Sequence, residues 1–146
     1  MNNKPVKTLA LLCLIVTLFT DCKKNKDDDT EVPVTETTIA GTYTLSSLTE
    51  TSSLLGERDL LSEMNECKRD DEYVLNPDKS YMYKDLGAVC TLDGTHPGVW
   101  ILLGENITFD LYTGKIEKLT NQQLVVTQNF SLLGVAYTKK AVFTRK

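Results

Sequence analysis

The clearest indication of the fold lies at residues 72–84, which read Glu72-Tyr73-Val74-Leu75-Asn76-Pro77-Asp78-Lys79-Ser80-Tyr81-Met82-Tyr83-Lys84. Hydrophobic residues alternate on both sides of its centre, and a period of two is typical of half-buried β-strands. The four central residues, 76–79, are a turn signal, because proline presets φ and asparagine and aspartate stabilise turns with their side chains. We therefore predict a β-hairpin with strands at 72–75 and 80–84.

The same alternation continues on both sides of this hairpin. Further strands are predicted around Tyr43 and Leu45 and at 99–103, 107–111, 115–119, 124–128 and 135–144. About eight short strands at regular spacing are typical of an antiparallel barrel or sandwich. Because short turns join neighbouring strands and closure removes both sheet edges, we predict an all-β fold, an antiparallel up-and-down β-barrel.

Two segments depart from the strand pattern. Between residues 51 and 66, Leu60, Leu61 and Met64 have helical spacing, which predicts a short helix after the first strand. This helix would cover the barrel mouth or fill one end. Residues 94–98 are rich in glycine and proline and are predicted to be a loop.

The N-terminus has the layout of a lipoprotein signal peptide, residues 1–21. Two lysines precede an apolar run at 8–20, which is shorter than the roughly 20 residues of a transmembrane helix. Cys22 follows as the expected lipid attachment site, so the membrane is a predicted partner. Asp21 departs from the small residue usual before such a cysteine, and the alternative is an ordinary secretory signal with a chance cysteine.

Residues 22–38 are acidic and polar, and we predict a disordered tether that joins the lipid to a domain at 39–146. The run at 26–31 resembles the acidic signal that directs some lipoproteins to the outer face of the outer membrane. We therefore expect an outer-membrane lipoprotein at the cell surface, with the periplasmic face as the alternative. An acidic linker that is merely solvated explains the same run.

Composition excludes several classes of function. The chain has 16 basic and 20 acidic residues and a net charge of −4, which argues against nucleic acid as a partner. With Cys22 acylated, Cys67 and Cys90 form an even pair in an oxidising compartment, which predicts a disulfide. A metal site at these cysteines would lack further ligands, because the chain has a single histidine. We expect no metal and no cofactor.

No catalytic arrangement is evident in the sequence. His96 lies in the predicted loop, where we expect it to face solvent. The acidic residues of 70–72 alternate between the two faces of a strand and would not converge. There is no phosphate-binding loop and no metalloprotease helix. We therefore expect a protein that is not an enzyme.

The order of these features resembles the bacterial lipocalin-like lipoproteins. The resemblance rests on seven features, in this order: Ala40-Gly41-Thr42-Tyr43, Cys67-Lys68-Arg69-Asp70-Asp71-Glu72-Tyr73, the hairpin turn, Cys90, Gly98-Val99-Trp100, Ile116-Glu117-Lys118-Leu119-Thr120 and Phe143-Thr144-Arg145. It implies a lipocalin-like barrel in which Gly41 and Tyr43 occupy a Gly-x-Trp motif and Arg145 packs on the aromatic ring. Tyrosine in place of tryptophan is a departure from that motif. The resemblance also implies the disulfide between Cys67 and Cys90.

Aromatic side chains supply a candidate ligand pocket. Its predicted lining is Trp100, Tyr73, Tyr81, Tyr83, Phe109 and Tyr137. A barrel with such a pocket would bind a small apolar or amphipathic molecule. The alternative is that these rings fill the core, so that the barrel acts as an interaction or accessory subunit of an envelope protein complex. A cavity of about several hundred Å³ would favour the ligand.

Overall fold

A computed structural model describes residues 30–89 and 94–146 of the chain. Ten strands and three short helices account for most of these residues. The strands are β1 (Gly41–Ser52), β2 (Gly56–Asp59), β3 (Glu72–Leu75), β4 (Ser80–Lys84), β5 (His96–Val99), β6 (Ile101–Leu103), β7 (Asn106–Phe109), β8 (Tyr112–Leu119), β9 (Gln123–Leu132) and β10 (Val135–Arg145). The helices are α1 (Glu36–Ile39), α2 (Leu60–Glu63) and a 3₁₀ helix, Glu66–Lys68.

The strands form a nearly closed antiparallel barrel. Their order is β5-β4-β3-β1-β10-β9-β8-β7-β6, with β2 paired to β1 outside this path. The first and last strands of this order, β5 and β6, are consecutive in the chain and joined through Trp100. Residues 96–103 therefore pair with two different strands: β5 pairs with β4, and β6 pairs with β7. The predicted antiparallel barrel is confirmed.

The predicted hairpin is present with the predicted bounds. Its strands, β3 and β4, pair Glu72 with Lys84 and Leu75 with Tyr81. The turn is held by Asp78, whose carboxylate accepts hydrogen bonds from the backbone nitrogen and the hydroxyl of Ser80.

The prediction of a loop at 94–98 is wrong at its C-terminal part, because β5 begins at His96. Tyr83 pairs with His96 and Ser80 pairs with Val99, so β5 covers what would otherwise be the free edge of β4. Pro97 is tolerated because β5 is the terminal strand of the order, where a missing N–H breaks no ladder. The gain from sheet pairing outweighs the local turn preference of proline and glycine.

The segment at 51–66 contains the predicted short helix together with a strand that the sequence did not reveal. Asp59 caps α2, and its carboxylate accepts hydrogen bonds from the backbone nitrogens of Leu61 and Ser62. Strand β2 precedes the helix and pairs with the second half of β1. All four residues of β2 are exposed. It therefore carries no hydrophobic alternation from which it could have been predicted.

The prediction of a disordered tether is wrong for residues 30–38. Glu31 forms a β-bridge with Thr120, and the Val32 nitrogen donates to the Leu119 carbonyl at 2.9 Å. Helix α1 follows, with a capping box formed by Thr35 and Thr38. Val32 and Val34 pack against the barrel core, and this burial orders the segment. Residues 22–29 and the predicted signal peptide lie outside the described residues.

The barrel has two distinct ends. At the first, which we call the tether end, α1 lies beside the start of β1 and the end of β10. At the opposite end, which we call the pocket end, β4 ends, β5 begins and the turn between β7 and β8 lies at residues 110–111. Among the described residues, no helix is long and apolar enough to cross a bilayer.

Candidate functional site

A cavity of about 510 Å³ opens at the pocket end of the barrel. Its size lies within the range of small-molecule sites. The residues that line it are Met64, Lys68, Tyr73, Tyr83, His96, Asp110, Leu111 and Tyr112. They come from the segment after α2 and from β3, β4, β5, β8 and the turn before β8, so the cavity exists only in the folded barrel.

Three tyrosines form the floor of the cavity. The ring centroid of Tyr73 lies 5.5 Å from that of Tyr83 and 5.6 Å from that of Tyr112, both in edge-to-face geometry. All three side chains are at most 9 % exposed. The Tyr73 and Tyr112 hydroxyl oxygens are 3.4 Å apart. The floor is therefore a rigid aromatic surface that carries phenol groups.

A buried carboxylate supports this floor from behind. The Tyr83 hydroxyl donates to Asp71 Oδ2, and the Leu86 backbone nitrogen donates to Asp71 Oδ1 at 2.9 Å. Asp71 is 1 % exposed. Because a buried charge needs hydrogen-bond partners, this pair of donors stabilises Asp71 and holds Tyr83 in its orientation.

His96 and Asp110 form one wall. Nε2 of His96 lies 3.4 Å from Oδ1 of Asp110, and Nδ1 lies 3.0 Å from the Gly94 carbonyl oxygen. The imidazole stacks on Tyr83 with centroids 4.9 Å apart. Asp110 has φ of 48°, a left-handed conformation that aspartate adopts more readily than most residues. The turn thereby directs a carboxylate at the cavity.

The phenols of the floor are held neutral. Burial is the main cause that raises the pKa of Tyr73, Tyr83 and Tyr112 above the ordinary value. The hydrogen bond to Asp71 raises the pKa of Tyr83 further, and the charge of Asp110 raises the pKa of Tyr112. Neutral phenols offer O–H groups and aromatic faces to a bound molecule.

Two apolar side chains, those of Met64 and Leu111, lie at the rim of the cavity. Met64 follows α2, and the Arg69 guanidinium donates to the Met64 carbonyl oxygen at 2.8 Å and to the Ser62 carbonyl oxygen at 2.9 Å. These bonds hold the covering segment over the mouth. Leu111 is 86 % exposed on the opposite side. Among the described residues that line the cavity, Lys68 supplies the one cation.

Comparison with known families assigns the barrel. The family model of a lipocalin-like domain matches residues 39–126, more than half of the chain. The chain belongs to the lipocalin-like domain family. No curated protein and no solved structure gave a match.

At the tether end of the lipocalin-like barrel, Arg145 packs on Tyr43, the pair of residues that the resemblance implied. The Arg145 guanidinium carbon lies 5.2 Å from the Tyr43 ring centroid, and its Nη2 is 2.5 Å from the Tyr43 hydroxyl oxygen. The same nitrogen donates to the Thr38 carbonyl oxygen. A Cβ on Gly41 would lie 3.1 Å from Arg145 Nε, so glycine permits this close approach.

The lipocalin-like barrel separates the predicted pocket residues into three groups. Tyr73 and Tyr83 line the cavity. Tyr81, Phe109 and Trp100 are at most 2 % exposed and lie in the core. The Trp100 indole donates to the Asn76 carbonyl oxygen at 2.8 Å, next to the turn of the predicted hairpin.

Tyr137 forms the third group. It stacks on Phe130, with centroids 5.2 Å apart, in the part of β9 and β10 that extends beyond the barrel. It therefore does not line the cavity. Period-two alternation identifies the inward face of a strand but not the height of a residue along the barrel axis, which is why these residues could not be separated beforehand.

Several residues that line the cavity were not predicted. His96 was expected to face solvent in a loop, but it lies in β5 with its side chain 39 % exposed. Tyr112, Asp110 and Leu111 belong to a tight turn that the alternation at 107–111 did not reveal. Met64 and Lys68 come from the covering segment, whose position depends on tertiary packing.

The other predicted site residues are only partly described. Cys67 lies in the 3₁₀ helix near the cavity rim. Its predicted disulfide partner Cys90 and the predicted lipid attachment site Cys22 lie outside the described residues. The disulfide and the lipid anchor therefore stay predictions. In the described part of the chain, no three His, Cys, Asp or Glu side chains form a cluster that could hold a metal ion.

Proposed function

We propose that this lipocalin-like protein binds a small amphipathic molecule in the cavity at the pocket end and performs no catalysis. The observation that carries the proposal is the cavity of about 510 Å³, which remains although aromatic rings fill the barrel below it. Among the described residues that line the cavity, none is a serine, threonine or cysteine that could act as an aliphatic hydroxyl or thiol nucleophile.

The distribution of polarity favours an amphipathic ligand. The floor carries the phenols of Tyr73 and Tyr112, whereas Met64 and the exposed Leu111 lie at the rim. A molecule would enter with its polar group first and leave its apolar body against the rim. Such a ligand satisfies the polar floor and covers apolar surface at the mouth.

We further propose that Cys22 is acylated and anchors the protein at the outer membrane, at the cell surface. The pattern at 1–21 supports an export signal, and the acidic run at 26–31 supports surface exposure. The described chain enters at the tether end, where Glu31 bridges Thr120. The cavity would therefore open on the side of the barrel away from the anchoring membrane.

Fractionation tests the anchor. The full chain expressed with its own leader is expected in the membrane fraction, and the variant Cys22→Ser is expected in the soluble fraction. Cys13→Ser is the control, because it removes a thiol from the predicted leader without removing the acylation site. A Cys22→Ser protein whose mass shows that the leader has been removed, and which still stays in the membrane fraction, would exclude the anchor at this residue.

Native mass spectrometry tests the ligand. The full chain, exported under oxidising conditions and purified from a complete cell extract, is expected to carry a discrete added mass that denaturation removes. The variant Leu111→Ser is expected to carry less of this mass. Leu133→Ser is the matched control, because Leu133 is 96 % exposed and does not line the cavity. A bare mass in several extracts would contradict the binding role.

A second candidate function, interaction with an envelope protein, is favoured by one observation. Two neighbouring hairpin tips carry the same sequence, Ser-Leu-Leu-Gly, at 53–56 and 131–134. Their four leucines are between 57 % and 96 % exposed. An exposed apolar surface of this kind is common at protein interfaces. Cross-linking at residues 54 and 133 in intact cells, compared with residue 57, would test it.

A further inference from the structure

We propose that the cavity selects an organic cation, an ammonium group carried on an aromatic or otherwise apolar body. This inference rests on the proposed binding function and adds the class of ligand. The carboxylate of Asp110, the aromatic faces around it and the distribution of charge behind the floor carry the argument.

Asp110 is positioned to accept an ammonium group. Its side chain is 16 % exposed, and its contact with His96 at 3.4 Å uses Oδ1. The carboxylate lines the same cavity as the His96 imidazole and the Tyr112 ring. A charge-assisted hydrogen bond from an ammonium group to a partly desolvated carboxylate is stronger than a bond between neutral groups.

Two more carboxylates contribute negative charge from behind the floor. Asp71 accepts the hydrogen bond of the Tyr83 hydroxyl, and Asp85 follows Tyr83 by two residues in the chain. After burial, the charges of Asp71, Asp85 and Asp110 raise the pKa of Tyr83. Asp71 accepts two hydrogen bonds from neutral donors and has no cationic partner among them. Oδ1 of Asp85 is buried without a hydrogen-bond partner in the described part of the chain.

The aromatic lining complements this charge. The rings of Tyr73, Tyr83 and Tyr112 and the imidazole of His96 all line the cavity. A cation within about 6 Å of an aromatic centroid gains roughly 0.5–2 kcal/mol, depending on how far it is desolvated. An aromatic floor beside carboxylates therefore favours a cation that can lose part of its hydration, such as an alkylammonium group.

Lys68 and Arg69 carry the positive charges at the rim that oppose this preference. Lys68 lies in the 3₁₀ helix and is partly exposed, and the exposed Arg69 guanidinium is bonded to the Met64 and Ser62 carbonyl oxygens. Against these two charges stand Asp110 in the lining and Asp71 and Asp85 behind Tyr83. The sum of these charges is negative at the floor, and screening by solvent weakens the effect of a partly exposed rim charge.

Three probes of similar size test the inference on the unmodified full chain. They are phenethylamine, phenethyl alcohol and phenylacetate, which carry a positive, a neutral and a negative group on the same aromatic body. Calorimetric titration is expected to give at least about tenfold tighter binding of the amine than of the alcohol, equivalent to about 1.4 kcal/mol. Phenylacetate is expected to bind most weakly.

Variants then test which residues cause the preference for the amine. Asp110→Asn is expected to remove most of the advantage of the amine over the alcohol, and an unchanged advantage would exclude Asp110 as the recognition group. Glu57→Gln is the matched control, because it removes the same charge from an exposed position on β2. Lys68→Gln is expected to strengthen amine binding. The ranking of probes on the unmodified protein stands even if Asp110→Asn fails to fold.

The outcomes separate this inference from the proposed function. Equal binding of amine and alcohol would overturn the cation preference and leave a binding cavity. Tightest binding of phenylacetate would also overturn it and would point to Lys68 as the recognition group. No binding of any probe, together with a bare mass from cell extracts, would overturn the inference and the binding function together.

Discussion

His96 and Asp110 are in contact across the gap between β5 and β7, which we call the seam of the barrel. Nε2 of His96 lies 3.4 Å from Oδ1 of Asp110. His96 belongs to β5, which pairs on one side with β4, and Asp110 belongs to the turn between β7 and β8. Among the described residues, no ladder joins β5 to β7. This side-chain contact therefore joins the two sides of the barrel at the pocket end, where backbone pairing is absent.

Removal of the His96 ring is expected to loosen this seam. In His96→Ala, the amides of 96–99 should exchange with deuterium faster than in the parent, whereas those of β9 should keep their rate. The free energy of unfolding should fall by no more than about 1 kcal/mol, because partly exposed pairs contribute little. Hydrogen exchange with mass spectrometry measures both regions, and unchanged exchange at 96–99 would show that the contact does not hold β5.

Substitution of Arg145 at the tether end of the barrel should lower stability far more than His96→Ala does. Arg145→Ala removes the bonds to the Tyr43 hydroxyl and to the Thr38 carbonyl, and hydrogen bonds to charged groups contribute about 1.5–3 kcal/mol. Urea unfolding should show a loss in that range, with partial recovery in Arg145→Lys. Lys140→Ala is the control, since its exposed ion pair with Glu117 should change stability by less than about 1 kcal/mol. Equal effects of the two alanine variants would contradict this role.

Alkaline pH should destabilise the protein. Five tyrosines have a pKa raised above the value of 10.0, mainly by burial: Tyr43, Tyr73, Tyr81, Tyr83 and Tyr112. The unfolded chain releases these protons at lower pH than the folded chain. The stability from the neutral phenols is therefore complete below pH 10 and is lost as pH rises above it. Urea midpoints at pH 8, 10 and 11 together with phenolate absorbance measure this, and a constant midpoint would contradict it.

The fluorescence of Trp100 should respond to changes in the core and not to ligand binding. It is the single tryptophan of the chain and is 0 % exposed. Its emission should be blue-shifted, weakly quenched by acrylamide and unchanged when phenethylamine binds. Trp100→Ala should cost about 3–5 kcal/mol, because it leaves a large cavity at the junction of β5 and β6. Strong quenching of Trp100 by the ligand would place the binding site elsewhere in the barrel.

Much of the barrel could be predicted from local pattern. The hairpin of β3 and β4 was predicted with its bounds, since Pro77 and Asp78 determine the turn and alternating residues determine the strands. The division of 96–103 at Trp100 could not be predicted. It depends on the closure of the barrel, in which one run of chain has to pair with two different strands.

The order of residues 30–38 also could not be predicted from local composition. Their polar composition is typical of disorder, yet Val32 and Val34 find a surface on the finished barrel. Two apolar residues stabilise a segment only where a partner surface already exists. Their contribution cannot be read from the segment alone.

Period-two alternation predicted the class of the fold, turn chemistry predicted the turn of the β3–β4 hairpin, and a family motif implied the contact of Tyr43 with Arg145. The location of the cavity could not be predicted, because it depends on the tertiary structure. The positions of His96, Asp110 and Tyr112 around that cavity depend on barrel closure and on the height of each residue along the axis. Alternation gives the face of a strand, but only the register between strands sets that height.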